Sequence, residues 1–465
     1  MDGDPSTLDA TGLLEAFRAR ALSPLEALDA ALARIEAADP RLNAFRLVDA
    51  DRARAAAQAA TQRWARRAPQ GLLDGVPVAI KDVLLTRGWP TLRGSRTIDA
   101  AGPWDADAPS VAALARHGAV AVGKTTTPEF GWKGVTDSPL DGVTRNPWDT
   151  ARTAGGSSGG SAAALAAGMV PLALGTDGGG SIRIPCGFCG VPGLKPTFGR
   201  VPAWPASPFG MLAHVGPMAR SVRDVALALD VLSEPDRRDP ASLGPGAAPF
   251  RDLPERGVAG MRIAFSPGLG YATADPEVAA LVARAAERLE ALGAHVDRVD
   301  PGFPEPYETF RTLWFAGAAR IVADLGDPPP EGLLDPGLVR TAREGARVSG
   351  LRYVQALQER DRLGVRMSLF HADWDLLVTP ALPIAAFGAG REVPEGWPEP
   401  DWPSWTPFTF PFNLTQQPAG VVPCGFTAAG LPVGLQIVGP RNADAAVLRA
   451  MAAYEAAHPE PTMAP

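Results

Sequence analysis

Apolar and polar positions divide the chain into helical and extended segments. Between residues 8 and 68, apolar side chains recur every three or four positions and Ala, Leu, Arg and Glu dominate, which predicts an N-terminal helical layer. The following run, G-V-P-V-A-I-K-D-V at 75–83, is short and almost wholly apolar, as in a strand buried on both faces of a sheet. The pattern therefore changes from helix to buried strand near residue 70.

Farther along the chain, strands and helices alternate. The runs at 261–265 and 294–299 predict two strands that flank a helix capped by Asp275. Two more apolar runs, at 374–380 and 430–440, continue the alternation, and the second is followed by a helical pattern. We therefore expect an α/β fold.

Proline and glycine concentrate in three stretches, at 234–256, 325–337 and 387–411, which we expect to be surface loops of one body. No internal repeat is evident. The expected organisation is a single domain over 1–465, with N-terminal helices at 1–70, a catalytic core at 71–215 and the remainder of the α/β body at 257–465.

Composition narrows the class of protein. Hydrophobic residues make up 46% and charged residues 20% of the chain, which suits a large buried core. Lys and Arg number 44 against 51 Asp and Glu, and no basic run could follow a phosphate backbone, so nucleic acid is not an expected partner. The acidic N-terminus and the short apolar run at 161–175, broken by Pro171, predict neither a secretion signal nor a membrane span. We expect a cytoplasmic location.

The chain has only three cysteines, Cys186, Cys189 and Cys424. This small and odd number does not support a disulfide framework. Cys186 and Cys189 form a C-x-x-C pattern, but no second pair or nearby histidine completes a zinc site. We interpret them as small buried thiols and expect no metal and no cofactor.

A phosphate-loop pattern, G-x-x-x-x-G-K-T, spans Gly118 to Thr125. A true phosphate loop follows a strand and opens a helix, whereas here a helical pattern at 109–117 precedes Gly118 and a strand-like A-V-A-V fills the loop positions. We therefore expect Gly118 to end a helix and Gly123 to form the exit turn of a strand. The order of elements argues against nucleotide binding.

A second pattern, G-x-S-x-G around Ser157, is typical of a nucleophile elbow. An elbow needs a preceding strand, but the residues before Ser157 are polar and interrupted by proline. It also needs a histidine base, and of the five histidines only His214 and His371 stay open, neither in a recognisable acid–base setting. Ser-His-Asp chemistry is therefore disfavoured.

A run of glycines leads directly into Ser181, so that several unobstructed N–H groups can converge near one hydroxyl. These glycines are Gly178, Gly179 and Gly180. An oxyanion hole beside its own nucleophile requires this arrangement. Lys81 is a candidate base, because it ends an apolar strand where desolvation favours the neutral amine. Moving the pKa of Lys81 from about 10.4 to near 7 takes roughly 4 to 5 kcal/mol of differential solvation. The alternative to a catalytic base is that Lys81 pairs with Asp82 or caps a helix.

These motifs together resemble the amidase signature family of Ser-Ser-Lys hydrolases. The residues that carry the resemblance are G-G-S-S-G-G-S-A-A-A, D-G-G-G-S-I-R-I-P, G-V-P-V-A-I-K-D and G-L-K-P-T, with further familial runs over nearly the whole chain. The resemblance implies a large, mixed, mostly parallel twisted sheet with helices on both faces and an N-terminal helical layer. It also implies hydrolysis of a linear amide C–N bond.

The resemblance implies a role for each matching residue. Ser181 is the nucleophile that forms the acyl-enzyme, Ser157 is the bridging serine held by a cis peptide bond, and Lys81 is the base. The separation of 24 residues between the two serines agrees with the family pattern. The N–H groups from Gly178 to Ser181 form the oxyanion hole.

Other matching positions surround these residues. Ser158, Asp177 and Arg183 are implied to organise the site, and Gly131, together with Ser157, is implied to contact the acyl part of the substrate. Two positions depart from the usual pattern: Cys186 stands where Ala or Ser is common, and Gln416–Gln417 where glycine is frequent. The second departure is expected to affect the shape of the pocket.

The least familial stretch is the aromatic loop at 396–412. Its aromatic residues are Trp397, Trp402, Trp405, Phe408, Phe410 and Phe412. Either they cap a hydrophobic substrate, which would favour aryl or longer acyl amides, anilides, esters or carbamates, or they fill a gap beneath the loop.

A rival function is the amide-cleaving subunit of a glutamine-dependent transamidation complex, which shares this fold. No run that is recognisably glutamine-specific occurs in the chain, and the aromatic loop also argues against this rival. A non-catalytic binding module is disfavoured because all three triad positions are present. The expected partner is a small-molecule amide, and a homodimer stays open.

Overall fold

Helices and strands alternate along most of the chain in a computed structural model that describes residues 4–244, 248–252, 257–326 and 328–465. The α-helices of these residues are α1 (Ala10–Ala19), α2 (Pro24–Leu42), α3 (Ala50–Ala65), α4 (Pro109–Arg116), α5 (Gly159–Ala166), α6 (Arg183–Cys189), α7 (Val222–Leu232), α8 (Pro276–Ala291), α9 (Tyr307–Ala323), α10 (Pro336–Gly345), α11 (Gly350–Asp373), α12 (Pro411–Leu414) and α13 (Asp444–Ala457). The strands are β1 (Phe45–Val48), β2 (Pro77–Lys81), β3 (Val120–Thr125), β4 (Asp137–Ser138), β5 (Gly142–Val143), β6 (Leu172–Asp177), β7 (Gly193–Lys195), β8 (His214–Ala219), β9 (Arg262–Phe265), β10 (His295–Arg298), β11 (Leu376–Pro380), β12 (Ala419–Phe426) and β13 (Pro432–Val438).

Eleven of these strands form one sheet in the order β1-β3-β2-β6-β8-β7-β12-β13-β11-β9-β10. The α/β class and the mixed sheet are confirmed, but the expectation of a mostly parallel sheet is wrong. Parallel pairs join β3, β2 and β6 at one side and β11, β9 and β10 at the other. The strands between them pair antiparallel, and β12 and β13 among them form a hairpin, which reverses the chain without a crossover helix.

Helices cover both faces of the sheet. In β2, Val78 and Ile80 contribute to one apolar cluster with α4 and α7, whereas Ala79 between them contributes to another with α2 and α5. In β6, Leu172 and Leu174 likewise face the first cluster and Ala173 the second. Because alternate residues of a strand point to opposite faces, both faces are buried, as the apolar run at 75–83 predicted.

The phosphate-loop pattern has the arrangement expected from a helix followed by a strand. α4 ends at Arg116, and Gly118 has a φ of +77°, in the left-handed region. The exit turn expected at Gly123 is wrong, since β3 continues through it to Thr125. A Cβ at Gly123 would lie 2.0 Å from the Leu47 carbonyl oxygen, so glycine permits the close approach of β1. This short strand, β1, interrupts the helices expected at 8–68.

The predicted β-α-β unit is confirmed. β9 and β10 are parallel neighbours joined by α8, and the Asp275 side chain accepts a hydrogen bond from the Glu277 N–H at the start of that helix.

Among the predicted surface loops, 387–411 departs from expectation, because Trp402 and Trp405 are fully buried. They pack in an apolar cluster with α9 and α10. Parts of the other two loops, at 245–247, 253–256 and 327, lie outside the described residues. No helix among those described is long and apolar enough to cross a membrane.

Candidate active site

Lys81, the last residue of β2, lies at the centre of a group of hydroxyls. β2 is hydrogen-bonded between β3 and β6, and its five residues are all buried. The Lys81 Nζ lies 2.7 Å from the Ser157 Oγ, 2.9 Å from the Ser158 Oγ and 2.8 Å from the Thr176 Oγ1. A hydroxyl can either donate or accept, so this set of partners suits a neutral amine as well as an ammonium group.

Burial lowers the pKa of Lys81 well below its ordinary value, and the charge of Asp177 offsets only part of this effect. The alternative of a Lys81–Asp82 pair is wrong. The Asp82 carboxylate lies 3.3 Å from the Lys124 Nζ and 3.6 Å from the Arg46 Nε, and it accepts the N–H groups that follow Thr91. Lys81 therefore has no carboxylate among its hydrogen-bond partners in the described chain.

Ser157 and Ser158 lie immediately before α5. The peptide bond between Gly156 and Ser157 is cis, as the resemblance implied. The Ser158 hydroxyl donates to the Thr176 carbonyl at 3.2 Å, and the Ser158 N–H donates to the Ser181 carbonyl at 3.1 Å. The loop before α5 is therefore attached both to β6 and to the segment that carries Ser181.

Asp177 and Arg183 fix the loop that carries Ser181. Arg183 is completely buried, and its Nη2 donates to the Asp177 Oδ1 at 3.0 Å. The Nε–H donates to the Asp177 Oδ2 at 3.0 Å, and the Nη1 and Nη2 groups also reach the Thr409 carbonyl and the side chains of Asn413 and Gln436. Burial alone would raise the pKa of Asp177, but the charge and hydrogen bonds of Arg183 hold it below the ordinary value.

The glycine run divides its N–H groups between two uses. The Gly180 N–H donates to the Asp177 Oδ1 at 2.8 Å and so holds the loop in place. Within the described part of the chain, the N–H groups of Gly178, Gly179 and Ser181 donate to no acceptor. Of the three residues, Gly178 and Ser181 line a cavity and can therefore meet a bound molecule.

A cavity of about 560 Å³ opens onto this loop. Its lining includes Ser157, Ser181 and Gly131, and a Cβ at Gly131 would lie 3.3 Å from the Ser157 Oγ. The Ser157 and Ser181 hydroxyls share the cavity but make no hydrogen bond to each other in the residues described. Catalytic hydrogen bonds are often long in the absence of substrate. The other walls are mainly apolar and include Phe130, Trp204, Phe209, Trp314, Ile321 and Leu325.

The aromatic loop contributes none of these walls. Trp402, Trp405, Phe408, Phe410 and Phe412 are all buried and pack against one another and against α9. They fill the space beneath the loop and do not cap the cavity. The aromatic walls come instead from Phe130, from Trp314 on α9 and from the 204–209 segment, and the last two carry no local sequence signal that singles them out.

The histidines lie apart from the serine hydroxyls. His214 lines the cavity, but its Nδ1 contacts the Leu212 carbonyl at 2.8 Å, and its Nε2 lies 3.5 Å from the Lys195 Nζ. Burial lowers the pKa of His214 well below its ordinary value. His371 contacts the Trp374 carbonyl near the end of α11. Neither histidine is hydrogen-bonded to a serine in the part of the chain described.

The departures from the usual pattern lie outside the cavity. Cys186 and Cys189 are buried free thiols, as expected, and burial raises the pKa of both. Gln416 has a φ of +63° and donates to the Met211 carbonyl at 3.3 Å, and the Gln417 carbonyl accepts from Lys195. Neither glutamine lines the cavity.

Comparison with known proteins identifies the class to which this site belongs. The family model described as "Amidase" matches residues 26–448. The chain is 38% identical over 464 residues to an acylamidase of Rhodococcus erythropolis, covering 97% of this chain and 96% of that protein. It is 37% identical over 479 residues to a glutamyl-tRNA(Gln) amidotransferase subunit of Synechococcus sp. (strain CC9605), with 96% of each chain covered.

Among solved structures, a bacterial aryl acylamidase of the amidase signature family is similar to this chain, with a TM-score of 0.90 and 32% identity. The match covers 97% of this chain and 96% of that one. The chain belongs to the amidase signature family. It is an enzyme that hydrolyses amide C–N bonds.

Proposed function

We propose that this enzyme hydrolyses a carboxylic amide through an acyl-enzyme on Ser181, with Ser157 and Lys81 as the proton relay. The observation that carries the proposal is the 2.7 Å contact between the Lys81 Nζ and the Ser157 Oγ. It lies in a site where burial favours the neutral amine and where the adjoining cavity also contains Ser181. The family resemblance assigns the same three residues.

Acylation begins when the neutral Lys81 amine accepts the proton of the Ser157 hydroxyl. Ser157 in turn accepts the proton of Ser181 as the Ser181 Oγ attacks the carbonyl carbon of the substrate. The C–N bond then breaks, and the relay returns a proton to the departing amine. The products of this half-reaction are the free amine and an ester on Ser181, with Lys81 neutral again.

Deacylation uses water in place of the serine. A water molecule attacks the ester carbonyl while its proton passes through Ser157 to Lys81, and the same proton then returns to the Ser181 oxygen as it leaves. The carboxylic acid is released and the enzyme is restored. Both half-reactions require Lys81 to be unprotonated at the start.

The oxyanion of each tetrahedral intermediate is held by backbone N–H groups. Our expectation included Gly178, Gly179 and Gly180, but the Gly180 N–H is engaged by Asp177. We therefore assign the oxyanion hole to the N–H groups of Gly178, Gly179 and Ser181. Loss of one such donor typically costs about 3 to 4 kcal/mol in the barrier.

The walls of the cavity favour a substrate with an aryl or longer acyl group. They are mainly apolar and include the aromatic rings of Phe130, Trp204, Phe209 and Trp314. The similar proteins named as an acylamidase and an aryl acylamidase agree with this choice. Esters and carbamates offer the same carbonyl to Ser181 and belong in the same substrate panel.

A second candidate is the amide-cleaving subunit of a transamidation complex. The observation that favours it is the 37% identity to a glutamyl-tRNA(Gln) amidotransferase subunit. This candidate needs a partner protein, whereas the acylamidase candidate works alone. Purification under native conditions separates the two, since only the second candidate brings a stoichiometric partner and depends on it for glutamine hydrolysis.

Mass spectrometry of the trapped acyl-enzyme tests the first proposal. Purified protein is mixed with a slowly hydrolysed aryl ester or anilide, quenched with acid and digested, and the added acyl mass is located on a peptide. We expect the acyl group on Ser181 and none in Ser181→Ala. Acyl on Ser157 would replace the nucleophile assignment, and no acyl from any substrate of the panel would favour the partner-dependent candidate.

A further inference from the structure

The lining of the cavity includes a cation, Arg93, that has no partner among the residues described. The Arg93 side chain is half-buried and lines the cavity, and it makes no hydrogen bond and no ion pair within the described chain. The charge of Asp82 acts on Arg93, but Asp82 is already engaged by Lys124 and Arg46. A partly desolvated guanidinium is costly unless an anion or carbonyl meets it.

Another residue of the same lining, Ser110, carries a buried hydroxyl that has no partner among the residues described. Ser110 is 1% exposed, and its Oγ has no hydrogen-bond partner among the residues described. Buried hydroxyls are rarely left unsatisfied in folded proteins. Ser110 is the second residue of α4, whose N-cap residue Ala108 supplies no side-chain oxygen and also lines the cavity. The Ser110 and Val111 N–H groups of this first turn donate to no acceptor among the residues described, and the turn carries the positive end of the helix dipole.

Arg93 and the start of α4, which carries Ser110, are both hydrogen-bonded to residues 82–85, the short segment that follows β2. The Arg93 N–H donates to the Asp82 carbonyl at 3.1 Å, and the Ala108 N–H donates to the Leu85 carbonyl at 2.9 Å. The Arg93 backbone also contacts the part of the cavity that Gly131 lines, since the Phe130 N–H donates to the Arg93 carbonyl at 2.7 Å and Gly131 follows directly. Arg93, Ala108 and Ser110 thus line the same cavity as Ser181.

The other charges of the cavity are already neutralised. Arg320 forms an ion pair with Asp324, and Asp177 forms one with Arg183. An anion near Arg93 would therefore meet a favourable field without displacing an existing acid. A flat carboxylate suits the fork of N–H groups on a guanidinium and accepts a hydroxyl hydrogen bond at the same time.

We propose that the Arg93–Ser110 end of the cavity binds a carboxylate carried by the amide substrate. This inference rests on the proposed function of Ser181 and adds the substrate class: amides with an apolar body and a terminal carboxylate. We expect about a 10- to 100-fold preference in kcat/KM over a neutral analogue, which corresponds to about 1.4 to 2.8 kcal/mol. A preference of this size is typical of hydrogen bonds to charged groups.

Two matched substrate pairs test the proposal and locate the carboxylate. The first compares the mono-4-nitroanilide of glutaric acid with the 4-nitroanilide of pentanoic acid, and the second compares N-acetyl-4-aminobenzoate with N-acetyl-4-toluidine. The measured quantity is the ratio of kcat/KM for the charged member to that for the neutral member. A preference in the first pair assigns the carboxylate to the acyl part, and a preference in the second assigns it to the amine part.

Variants connect the preference to the named residues. We expect Arg93→Gln to remove the preference. Ser110→Ala removes only a hydroxyl and should reduce the preference by a few-fold. Arg320→Gln is the matched control, since Arg320 is a cation of the same cavity that already has an acid partner, and it should keep the ratio. The proposal is overturned if neither pair shows a preference or if the preference survives in Arg93→Gln.

Failure of the carboxylate site and failure of the Ser181 mechanism give different results. Hydrolysis of the neutral anilides without any carboxylate preference overturns the substrate class and leaves the Ser181 mechanism intact. Absence of turnover and of acyl on Ser181 for all four compounds would overturn both.

Discussion

Replacement of Lys81 with Met tests the base directly. Methionine fills similar space but cannot accept a proton, and the site is completely buried, so bulk water does not take the place of the amine. Loss of a positioned general base typically lowers the rate 10²- to 10⁴-fold, which is about 2.7 to 5.4 kcal/mol in the barrier. We expect a fall of this size in kcat/KM for an anilide, measured from the release of the aromatic amine.

The pH dependence gives the same test a second readout. Burial lowers the pKa of Lys81, and the amine must be neutral to act, so wild-type kcat/KM should rise with pH and level off below the ordinary lysine pKa. This rise should be absent in Lys81→Met. Lys124→Met is the matched control, because Lys124 is also buried and its pKa is lowered to about 8, but it contacts Asp82 and not Ser157.

Lys81→Met and Lys124→Met should also differ in their effect on the free energy of unfolding. Between the folded-state pKa of Lys81 and about 10.4, the unfolded chain binds one more proton, so this residue makes the stability rise with pH by about 1.4 kcal/mol per unit. Lys81→Met removes that component, whereas Lys124→Met leaves Asp82 short of a partner and should cost about 3 to 5 kcal/mol. Urea denaturation at two pH values measures both. A Lys81→Met enzyme with wild-type kcat/KM and an unchanged pH profile would refute the assignment of the base.

Three further substitutions probe the parts around the base. Asp177→Asn should cost about 3 to 5 kcal/mol in urea denaturation, because it leaves Arg183 buried without its counterion; a loss below about 1 kcal/mol would contradict this. Gly131→Ala forces a φ of +70° on alanine and places a Cβ 3.3 Å from the Ser157 Oγ, so kcat/KM should fall about 10- to 100-fold while the far-UV circular dichroism spectrum is retained. Trp405→Ala should cost about 3 to 5 kcal/mol of stability with little change in KM, and a large rise in KM would show that the aromatic loop reaches the substrate.

Prediction from the sequence was best where local pattern and burial agree. The apolar run before Lys81 could be recognised as a strand, because both faces of β2 are covered and every position is therefore apolar. The motifs around Ser157 and Ser181 could be matched to the amidase signature family, because close packing requires glycines and small hydroxyl residues at these positions. Their arrangement around Lys81 comes from three separate segments, which only the folded sheet brings together.

Prediction was weakest where the significance of a residue depends on its surroundings. Trp402 and Trp405 occur in a proline-rich loop, and nothing local distinguishes a capping aromatic residue from a buried one. The parallel β2 and the antiparallel β12 have similarly apolar sequences, so strand direction could not be predicted. Arg93 and Ser110 attract attention only because their side chains have no partner among the residues that the structure describes, which is a property of the three-dimensional structure.

The separation of Lys81 from Asp82 has a consequence for enzyme design. The two residues are adjacent in sequence, yet the amine contacts hydroxyls while the carboxylate is engaged by Lys124 and Arg46. In a site transplanted into another scaffold with the two serines, Lys81 and Asp82 but without Lys124 and Arg46, an unpaired aspartate would favour the protonated form of its neighbour. A portable unit that keeps Asp82 therefore includes the two cations that bind it, although neither of them lines the cavity.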